Sequence, residues 1–422
     1  MIARALIRRS ARATLPSLTP GLAFSIAIPI RDHVDFIETA LCSLEAQGVD
    51  MQVAALDASG DDRAQRLLAA HDVRVSYGYH HEDAGQAAAI QEGWNHTGGD
   101  VLAWLNVDDF YFPNALDRVA AVFEAQPDVD VVYGHAVHVS AACDFLSYFP
   151  AIDPDPRSLT RGCTISQPSC FVRRRAMERV GGLNTALHYT MDWDLWFRLY
   201  RAGCRFAFLD APLSVVRVHA ATKTMSRAFD RYREIGSLLA VAGGSFLSRM
   251  GTLLSFYEYD LQHRRTGLAD RMTYALLSLM THAYRRVRPR RARVIHGIEC
   301  WTNLVRGACR VDIPWYGRGS TADITVVSDT PIDLAFTSDG SRRTLEAHGP
   351  TGVVFQGAEI RGYQYSGRVR LRDHMLSLGL SAGRSRWRLL RVSAVCPGAL
   401  DCERVGSSST TPWLTSSTRR DR

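Results

Sequence analysis

Short apolar runs that end in acidic residues recur in the N-terminal part of the chain, and the clearest of them is Gly98–Asp109. This stretch reads as a small turn, an unbroken apolar run and then the adjacent carboxylates of Asp108 and Asp109. A short apolar run bounded by turn residues is typical of a strand that is buried on both faces of a parallel sheet. Ligands bind such sheets just beyond the carboxyl ends of the strands. Asn106, Asp108 and Asp109 are therefore expected at the mouth of a site.

Three further apolar runs precede this strand, at Phe24–Ile30, Val53–Leu56 and Val73–Tyr79. The segments between the runs have a helical character, and Asp32 is predicted to cap the first helix. Strands and helices that alternate in this way predict an α/β fold with a doubly wound, mostly parallel sheet.

Carboxylates follow these strands at Asp57, at Asp83 and at the Asp108–Asp109 pair. Because parallel strands bring their carboxyl ends to one edge of a sheet, the three clusters are expected to converge there. Adjacent carboxylates repel, and a hard divalent cation commonly compensates them. A lone acidic pair is more often a solvated turn, but three convergent clusters indicate a binding site.

The usual loops for nucleotide phosphates do not follow the first strand. Neither Gly-x-Gly-x-x-Gly nor Gly-Lys-Ser/Thr occurs there, which excludes the dinucleotide fingerprint and the phosphate loop. A nucleotide diphosphate bound at this edge therefore needs another source of positive charge, and a metal ion on Asp109 would supply it.

The composition is that of an ordinary globular protein, with 46% hydrophobic and 22% charged residues among 422. The formal net charge of +7 is modest for this length, and no nucleic-acid partner is expected. The nine cysteines include no Cys-x-x-Cys pair, which predicts reduced thiols and a cytoplasmic protein. The sequence contains no run of about twenty apolar residues without charges, so no membrane-spanning helix is predicted.

The order and spacing of these motifs resemble the family 2 glycosyltransferases, which have the GT-A fold. The similar positions are Pro29, Asp57, Asp83–Gln86, Gly93, Gly99, Asp100, Trp104–Asp109, Gln167–Arg173, Gly181–Asn184 and Met191–Arg198. They extend from about Phe24 to Ser226, roughly half of the chain. Two departures are evident. Asn106 occupies the first position of the family's Asp-x-Asp, and the sequence after Asp57 leaves open whether Asp57, Asp61 or Asp62 meets the base.

The resemblance implies an inverting, metal-dependent transfer of a sugar from a nucleotide-diphosphate donor to a hydroxyl acceptor. The expected donor is a UDP-sugar, the expected acceptor is a glycan or a lipid-linked sugar, and the implied cofactor is Mn2+ or Mg2+. The implied metal ligands are Asp109 foremost, with Asp108 and His219. The implied donor contacts are Pro29, Asp57, Asp83, Gln86 and Asp108, of which Asp57 and Asp83 meet the base and Asp108 lies near the ribose.

Removal of a proton from the attacking hydroxyl requires a positioned carboxylate near the acceptor. Asp192 falls where the family places this general base, at the start of a predicted helix whose dipole favours the ionised form; the alternative is a simple N-cap. Further candidates for contacts with the acceptor or the diphosphate are Gln167, Trp193 and Lys223, the only lysine. The alternative for Trp193 is a core position, and the alternative for Gln167 is a buried amide with satisfied hydrogen bonds.

The predicted domain organisation has five parts. A basic N-terminal tail (1–21) precedes the GT-A domain (22–230), and a helical segment (231–310), a β-sandwich-like module (311–400) and a disordered tail (401–422) follow.

The helical segment contains an apolar run, Met272–Tyr284, that is followed by six arginines between Arg285 and Arg293. An apolar helix joined to a basic cluster predicts peripheral contact with an anionic membrane surface. A core helix followed by a solvated basic linker is an equal alternative.

The sequence therefore predicts a cytoplasmic hexosyltransferase of surface polysaccharide or glycolipid synthesis, located at the inner face of the membrane if the basic segment binds lipid. One alternative is a sugar nucleotidyltransferase, although Pro29–Asp32 lacks the glycine-rich, basic character that its first loop requires. Another alternative is a glycan-binding protein with a decayed transferase domain, supported by the β-rich C-terminal module. The retained carboxylates Asp108, Asp109 and Asp192 favour the enzyme.

Overall fold

The computed structural model describes residues 21–149, 158–159, 162–219, 222, 229–243, 246–262, 272–280, 294–300, 302–316, 319–338, 341–355 and 358–395. These residues form an N-terminal α/β domain, a set of helices and a C-terminal β module.

The α/β domain is built from strands and helices that alternate along the chain. Its described strands are β1 (Phe24–Ile30), β2 (Met51–Asp57), β3 (Val75–His80), β4 (Val101–Trp104), β5 (Phe110–Tyr111), β6 (Val131–Val139), β7 (Phe145–Phe149), β8 (Cys170–Arg173) and β9 (Phe206–Arg217). Its described helices are α1 (Ile37–Glu45), α2 (Arg63–Ala70), α3 (Gln86–Asn95), α4 (Ala115–Ala125), α5 (Arg174–Val180) and α6 (Met191–Arg201). The helices α7 (Phe229–Val241), α8 (Phe246–Gln262) and α9 (272–280) follow the domain.

The centre of the sheet is parallel, which confirms the predicted fold class. β1 pairs in parallel with both β2 and β4, and β2 pairs in parallel with β3. The strand order β3-β2-β1-β4 reverses the direction of strand addition beside β1, and doubly wound sheets bind ligands at such a point. Beyond β4 the sheet is mixed, because β8 runs antiparallel to β4 and β6 whereas β9 runs parallel to β6.

The start of β4 lies against β1 with no room for a side chain at Gly99. A Cβ atom at Gly99 would lie 2.6 Å from the carbonyl carbon of Phe24, and the N–H of Gly99 donates to Oγ of Ser25 at 2.9 Å. All four residues of Val101–Trp104 are buried. The apolar run that predicted this strand therefore fills both faces of the sheet.

Alternate residues of the central strands enter separate cores on the two faces of the sheet. Ile26 and Ile28 pack in one core with Leu41 of α1, whereas Trp104 belongs to the other core with Trp196 of α6. The rings of Trp104 and Trp196 stack at 5.8 Å. The period of two in a strand directs neighbouring side chains to opposite faces.

The helix after β1 begins later than predicted, and Asp32 does not cap it. His33 has a left-handed backbone (φ 61°), a single 3-10 turn follows at Val34–Phe36, and α1 begins only at Ile37. The left-handed residue turns the chain between Asp32 and the helix, so the Asp32 side chain is not placed at the helix N-terminus.

The C-terminal module consists of antiparallel strands. They are β10 (Val294–Ile295), β11 (Ile298–Glu299), β12 (Leu304–Pro314), β13 (Thr321–Ser328), β14 (Ala335–Ser338), β15 (Ser341–Thr344), β16 (Glu346–Phe355), β17 (Ala358–Arg370) and β18 (Met375–Val395). The first part of β18 pairs with β12 and β14, and its last part pairs with β13. One long strand therefore joins two packed sheets, in agreement with the predicted all-β module.

The β structure begins inside the segment that was predicted to be helical. β10 starts at Val294 and β12 starts at Leu304, both before the predicted boundary at residue 310. In β12 the exposed Arg306 and Arg310 alternate with the buried Val305 and Cys309. Because the surrounding sequence is also rich in arginine, this alternation is difficult to recognise as a strand from the sequence alone.

The module packs directly on the α/β domain. Tyr316 donates its hydroxyl to the carbonyl oxygen of Tyr111 at 2.8 Å, and the side-chain amide of Asn303 donates to the carbonyl oxygen of Leu146. Val392 of β18 pairs with Phe145 of β7. Among the described helices, none combines the length and apolar character needed to cross a bilayer.

Candidate active site

Polar residues lie at or after the ends of the parallel strands β2, β3 and β4 at one edge of the sheet, at Asp57, at Asp83 and at the Asp108–Asp109 pair. Ile30, Asp57 and His80 occupy equivalent positions at the ends of β1, β2 and β3. The turn that contains Asp108 and Asp109 follows β4 on the other side of β1. The strand-end clusters therefore line one edge of the sheet around the point where ligands bind.

Asp109 is a deeply buried carboxylate of this edge, with 4% of the residue exposed, and Asp57 is buried still more deeply at 1%. Its Oδ1 accepts from the backbone N–H of Arg217 at 3.2 Å, and its Oδ2 accepts from the side-chain amide of Asn106 at 3.1 Å. Burial, together with the charge of Asp108, raises the pKa of Asp109 well above its ordinary value despite these donors. Ionisation of Asp109 is therefore costly in the folded protein.

Asn106 is the centre of a hydrogen-bond network that the sequence did not reveal. Its Oδ1 accepts from Nε2 of Gln86 at 2.8 Å, and its Nδ2 also donates to Oε1 of Gln167 at 3.2 Å. Gln167 in turn donates to the carbonyl oxygen of Trp104 at 2.7 Å. Gln86 and Gln167 therefore support the turn that carries Asp109, and the described bonds of Gln167 match the alternative of a satisfied amide.

Asp108 turns to a different partner from Asp109. Its Oδ2 lies 3.1 Å from Nε2 of His219, and both side chains are largely buried. The ring of His219 also contacts the rings of His33, at a centroid distance of 4.5 Å, and Phe36. The structure thus brings together Asp108 and His219, which the resemblance paired at the metal, and adds His33 beside them.

Arg217 is a central residue of this site that sequence reasoning missed. It is 3% exposed, and its guanidinium donates to the carbonyl oxygens of Asp108 and Ala141. The guanidinium also lies 4.4 Å from the ring centroid of Phe36. Its place two residues before His219, at the end of a β-rich run, was the available signal. Arg217 therefore fixes the backbone around both aspartates from the opposite strand, β9.

Asp57 does not face the solvent directly, although it lies at the predicted strand end. Its Oδ1 accepts from the N–H of Ser59 at 2.9 Å, and its Oδ2 lies 2.8 Å from Nδ1 of His80. The side chain of Asp57 is 2% exposed, whereas that of His80 is 33% exposed. His80 is thus a second residue that sequence reasoning missed, and the pair of histidines at positions 80 and 81 was the available signal.

Asp83 closes the turn before α3. Its Oδ1 accepts from the N–H of Gly85 at 2.8 Å, and its Oδ2 accepts from the hydroxyl of Tyr79 at 3.3 Å. Burial and the carboxylate of Asp83 raise the pKa of Tyr79, so the phenol keeps its proton and donates it. Pro29 lies in β1, half-buried, one residue before the strand end.

Asp192 lies in the first turn of α6, as predicted, and its Oδ1 accepts from the N–H of Trp193 at 2.7 Å. Its negative charge adds to the effect of burial in raising the pKa of the Cys163 and Cys170 thiols. Those cysteines flank Gln167, which reaches the Asn106 network. Asp192 is therefore close enough to Cys163 and Cys170 for its charge to act on their thiols.

The structure contradicts the acceptor role predicted for Trp193. Its side chain is 3% exposed, it belongs to the core with Trp196, and its indole N–H donates to the carbonyl oxygen of Leu159 at 2.9 Å. Asp192 is half-buried in the first turn of α6, and Trp193 points inward because residues one apart on a helix lie about 100° apart. Lys223, another candidate for contact with the acceptor or the diphosphate, lies outside the described residues.

The residues around Asp109 fit a divalent cation. Burial and the neighbouring carboxylate of Asp108 make ionisation of Asp109 costly even with the charge of Arg217 nearby, and a cation would relieve that cost. Carboxylate oxygens are the ligands that Mn2+ and Mg2+ prefer, and an imidazole nitrogen is an accepted third ligand of Mn2+. Asp109, Asp108 and His219 supply this donor set.

A second group of ligand-type side chains lies away from this edge, between α1 and α2. The side-chain atoms of Cys42, Glu45 and His71 lie within 4.8 Å of one another. Glu45 is already engaged, since its Oε1 lies 3.0 Å from Nδ1 of His71 and accepts from the N–H of Asp72. Burial raises the pKa of the Cys42 thiol to about 12, which keeps it protonated. These contacts join the end of α1 to the end of α2.

The N-terminal domain matches a known protein family. Residues 25–180 match the family model described as Glycosyl transferase family 2. An uncharacterised glycosyltransferase of Rickettsia typhi is 24% identical over 230 residues, which cover 51% of this chain and 69% of that protein. The O-antigen biosynthesis protein RfbC of Myxococcus xanthus is 26% identical over 218 residues, which cover 50% of this chain and 17% of that protein.

Solved structures of glycosyltransferases are also similar to this chain. S. aureus TarS 1-349 in complex with UDP-GlcNAc is 16% identical with a TM-score of 0.42, and the match covers 61% of this chain and 79% of that one. The mannosyltransferase PcManGT from Pyrobaculum calidifontis, in complex with GDP-Man and Mn2+, is 16% identical with a TM-score of 0.40, and the match covers 68% and 82%.

The parallel sheet with its polar edge defines the class of the N-terminal domain as a ligand-binding α/β domain. The family match extends from β1 to α5 and includes the turn with Asp108 and Asp109. Residues 25–180 are thus similar to glycosyltransferase family 2, and the curated relatives that match this part of the chain include proteins named as glycosyltransferases. Asp192, Arg217 and His219 lie beyond the matched residues, so their roles depend on the geometry given above.

Proposed function

We propose that this glycosyltransferase moves a hexose from a nucleotide-diphosphate donor to a hydroxyl acceptor with inversion, and that it requires Mn2+ or Mg2+. The observation that carries the proposal is the buried carboxylate of Asp109, whose pKa is raised, beside the Asp108–His219 pair at the sheet edge where ligands bind.

Asp109, Asp108 and His219 would hold the cation, which when bound stabilises the leaving diphosphate as a Lewis acid. Arg217 holds the peptide of Asp108 and the carboxylate of Asp109 from β9, so both aspartates keep their places when no cation is present. Arg217 is therefore a positioning residue for the diphosphate end of the donor.

The base and ribose of the donor would extend from this point toward β2 and β3. The strand ends there carry Asp57, His80 and, in the next turn, Asp83. The resemblance to the family also implies a contact between Asp108 and the ribose. Pro29 and Gln86 flank the same edge, from β1 and from the first turn of α3.

Asp192 would accept the proton of the attacking hydroxyl. A single carboxylate base opposite the leaving group gives direct displacement, in which the bond from the acceptor oxygen to the anomeric carbon forms as the bond to the diphosphate breaks. The configuration at the anomeric carbon then inverts. The position of Asp192 in the first turn of α6 favours its ionised form through the helix dipole.

The proposed acceptor class comes from the name of a relative. One relative is named for O-antigen biosynthesis, and this name supports a surface polysaccharide or glycolipid as the product. A cytoplasmic location would suit nucleotide-sugar donors and the free cysteines of the described residues. We further propose the domain organisation of the sequence analysis, with the β module beginning near residue 294.

Peripheral membrane contact is proposed for the helical segment. Met272, Leu276, Leu279 and Met280 are all exposed on α9, and their spacing places them on one helical face. The six arginines between Arg285 and Arg293 follow in the sequence and lie outside the described residues. An apolar face next to a basic cluster supports binding to an anionic lipid surface.

The proposal is tested by donor binding. Purified protein is melted with Mn2+ and a panel of UDP-, GDP- and dTDP-sugars, and at least one donor is expected to raise Tm in a cation-dependent manner. Asp109→Ala is expected to abolish the response. Asp128→Ala removes an exposed carboxylate paired with Arg205 and serves as the control that keeps the response. If donor and Mn2+ raise the Tm of Asp109→Ala as much as that of wild type, the proposed cation site is wrong.

A further inference from the structure

We infer that His80, oriented by Asp57, is the group that reads the donor base, and that it selects bases with a ring N–H. The inference rests on the proposed function, since it presumes a nucleotide donor at this edge. It names the class of base that the site accepts.

The first step is the state of Asp57. Both of its carboxylate oxygens already have donors, Ser59 N–H at Oδ1 and the His80 ring at Oδ2, and the side chain is 2% exposed. A group so enclosed has little surface to offer a base. His80 contacts Oδ2 of Asp57, and a third of its own side chain is exposed.

The second step is the tautomer of His80. An ionised carboxylate only accepts hydrogen bonds, so the ring nitrogen 2.8 Å from Asp57, Nδ1, carries the hydrogen. In the neutral imidazole Nε2 is then a bare acceptor. Among the described residues no group donates to Nε2, so it is available to a ligand.

The third step is the position of this acceptor. His80, Asp57 and Ile30 are aligned across β3, β2 and β1, and the cation-binding residues lie beyond β4 on the far side of β1. A donor whose diphosphate lies near Asp109 extends its base along this row of strand ends. Nε2 of His80 is therefore placed to meet the edge of the base.

The chemistry of the bases then gives the specificity. Uracil and thymine carry a donor at N3–H and guanine carries one at N1–H, and each can donate to Nε2. Cytosine and adenine present a bare ring nitrogen at the equivalent position, which would place two acceptors face to face. A site built for one hydrogen bond rejects a ligand that leaves its polar atom unpaired.

The experiment measures the affinities of UDP, GDP, CDP and ADP by calorimetry with Mn2+ present. Wild type is expected to bind UDP or GDP at least about tenfold more tightly than CDP and ADP. His80→Phe keeps a ring over Asp57 but removes the acceptor, and it is expected to bring the four affinities to within about twofold. His81→Phe, a neighbouring exposed histidine stacked on Tyr79, is the matched control and keeps the wild-type preference.

A second variant remains informative if His80→Phe fails to fold. In Asp57→Asn, Ser59 N–H still donates to the side-chain oxygen, so the new amide N–H faces Nδ1 of His80. His80 must then carry its hydrogen on Nε2 and become a donor. The preference is expected to narrow or to reverse toward CDP and ADP, and His80→Gln, whose amide can accept or donate, is expected to bind both groups of bases.

The outcomes separate the two claims. If wild type prefers UDP or GDP and the preference is unchanged in His80→Phe and His80→Gln, this inference is overturned while the proposed function stands. If Asp57→Asn loses every nucleotide equally without a change of preference, Asp57 does not act through His80. If wild type binds no nucleoside diphosphate, the proposed function fails and this inference fails with it.

Discussion

The side-chain amide of Asn106 donates to the buried Oδ2 of Asp109 at 3.1 Å. Asn106 stands where the family's acidic motif has its first aspartate, and it is therefore a hydrogen-bond donor to Asp109 at the end of that motif. An aspartate at position 106 would replace this donor by a third carboxylate. The asparagine thus supports Asp109 when no cation is bound.

The exchange of Asn106 for aspartate should make the protein more dependent on a cation. Asn106→Asp is expected to lower the free energy of unfolding by about 1–3 kcal/mol without divalent ions, because Asp109 loses a donor and gains a like charge. Added Mn2+ should then raise Tm more in the variant than in wild type. Asn95→Asp, at an exposed position on α3, is the control with little effect. A variant that melts like wild type in EDTA would refute the supporting role.

The raised pKa of Asp109 predicts how stability depends on pH. Without divalent ions, the folded protein retains a proton on Asp109 that the unfolded chain releases above about pH 4. The contribution of this group to stability should therefore fall as pH rises from about 4 toward the raised pKa, and remain constant above it. Asp109→Asn is expected to remove this fall and to raise the neutral-pH stability by about 1 kcal/mol.

The measurement is Tm as a function of pH in EDTA for wild type, Asp109→Asn and the surface control Asp128→Asn. Parallel profiles for all three proteins would show that Asp109 does not carry an unfavourable charge. Addition of Mn2+ should stabilise wild type by about as much as the Asp109→Asn change stabilises the protein in EDTA.

Arg217 should not be replaceable by lysine. Its guanidinium donates to two carbonyl oxygens and packs on Phe36, a planar arrangement that a lysine ammonium cannot reproduce. Arg217→Lys is expected to cost about 2–3 kcal/mol of stability and to weaken donor binding. Arg205→Lys, at an exposed ion pair, is expected to cost less than about 0.5 kcal/mol. Denaturant unfolding and donor titration of the two variants check this difference.

The apolar face of α9 should determine lipid binding together with the arginines that follow it. A double change, Leu276→Ser with Leu279→Ser, is expected to reduce pelleting with anionic vesicles at low salt by about tenfold or more, since two exposed leucines lose their transfer energy. Neutralising the arginines between Arg285 and Arg293 should have a similar effect. Val354→Ser, also exposed but in the β module, should pellet like wild type. Unchanged pelleting in both test variants would exclude this membrane contact.

The sequence predicted the parts of the structure that local patterns determine. The unbroken apolar run before Asp108 predicted β4, and the carboxylates after the strands predicted the polar edge. Long-range contacts were not predictable in this way. Arg217 reaches Asp108 across 109 positions, and Gln167 meets Asn106 across 61. Asp57 was correctly placed at a strand end, yet the histidine that covers it depends on the register between β2 and β3.

The errors have similar causes. Trp193 was a candidate for sugar contact because it neighbours Asp192, but a helix directs adjacent residues to different sides. The helical prediction near residue 304 failed because exposed arginines obscured the alternation of a strand. In each case the local composition was compatible with two structures, and tertiary packing selected one of them.

The most direct test is the release of nucleoside diphosphate from a preferred donor in the presence of Mn2+ and acceptor, compared among wild type, Asp109→Ala and Asp192→Asn. Wild type should turn over, Asp109→Ala should neither bind donor nor turn over, and Asp192→Asn should bind donor with wild-type affinity while transfer falls by about a hundredfold or more. Transfer at the wild-type rate by either variant would contradict the assignment of the cation site or of the base.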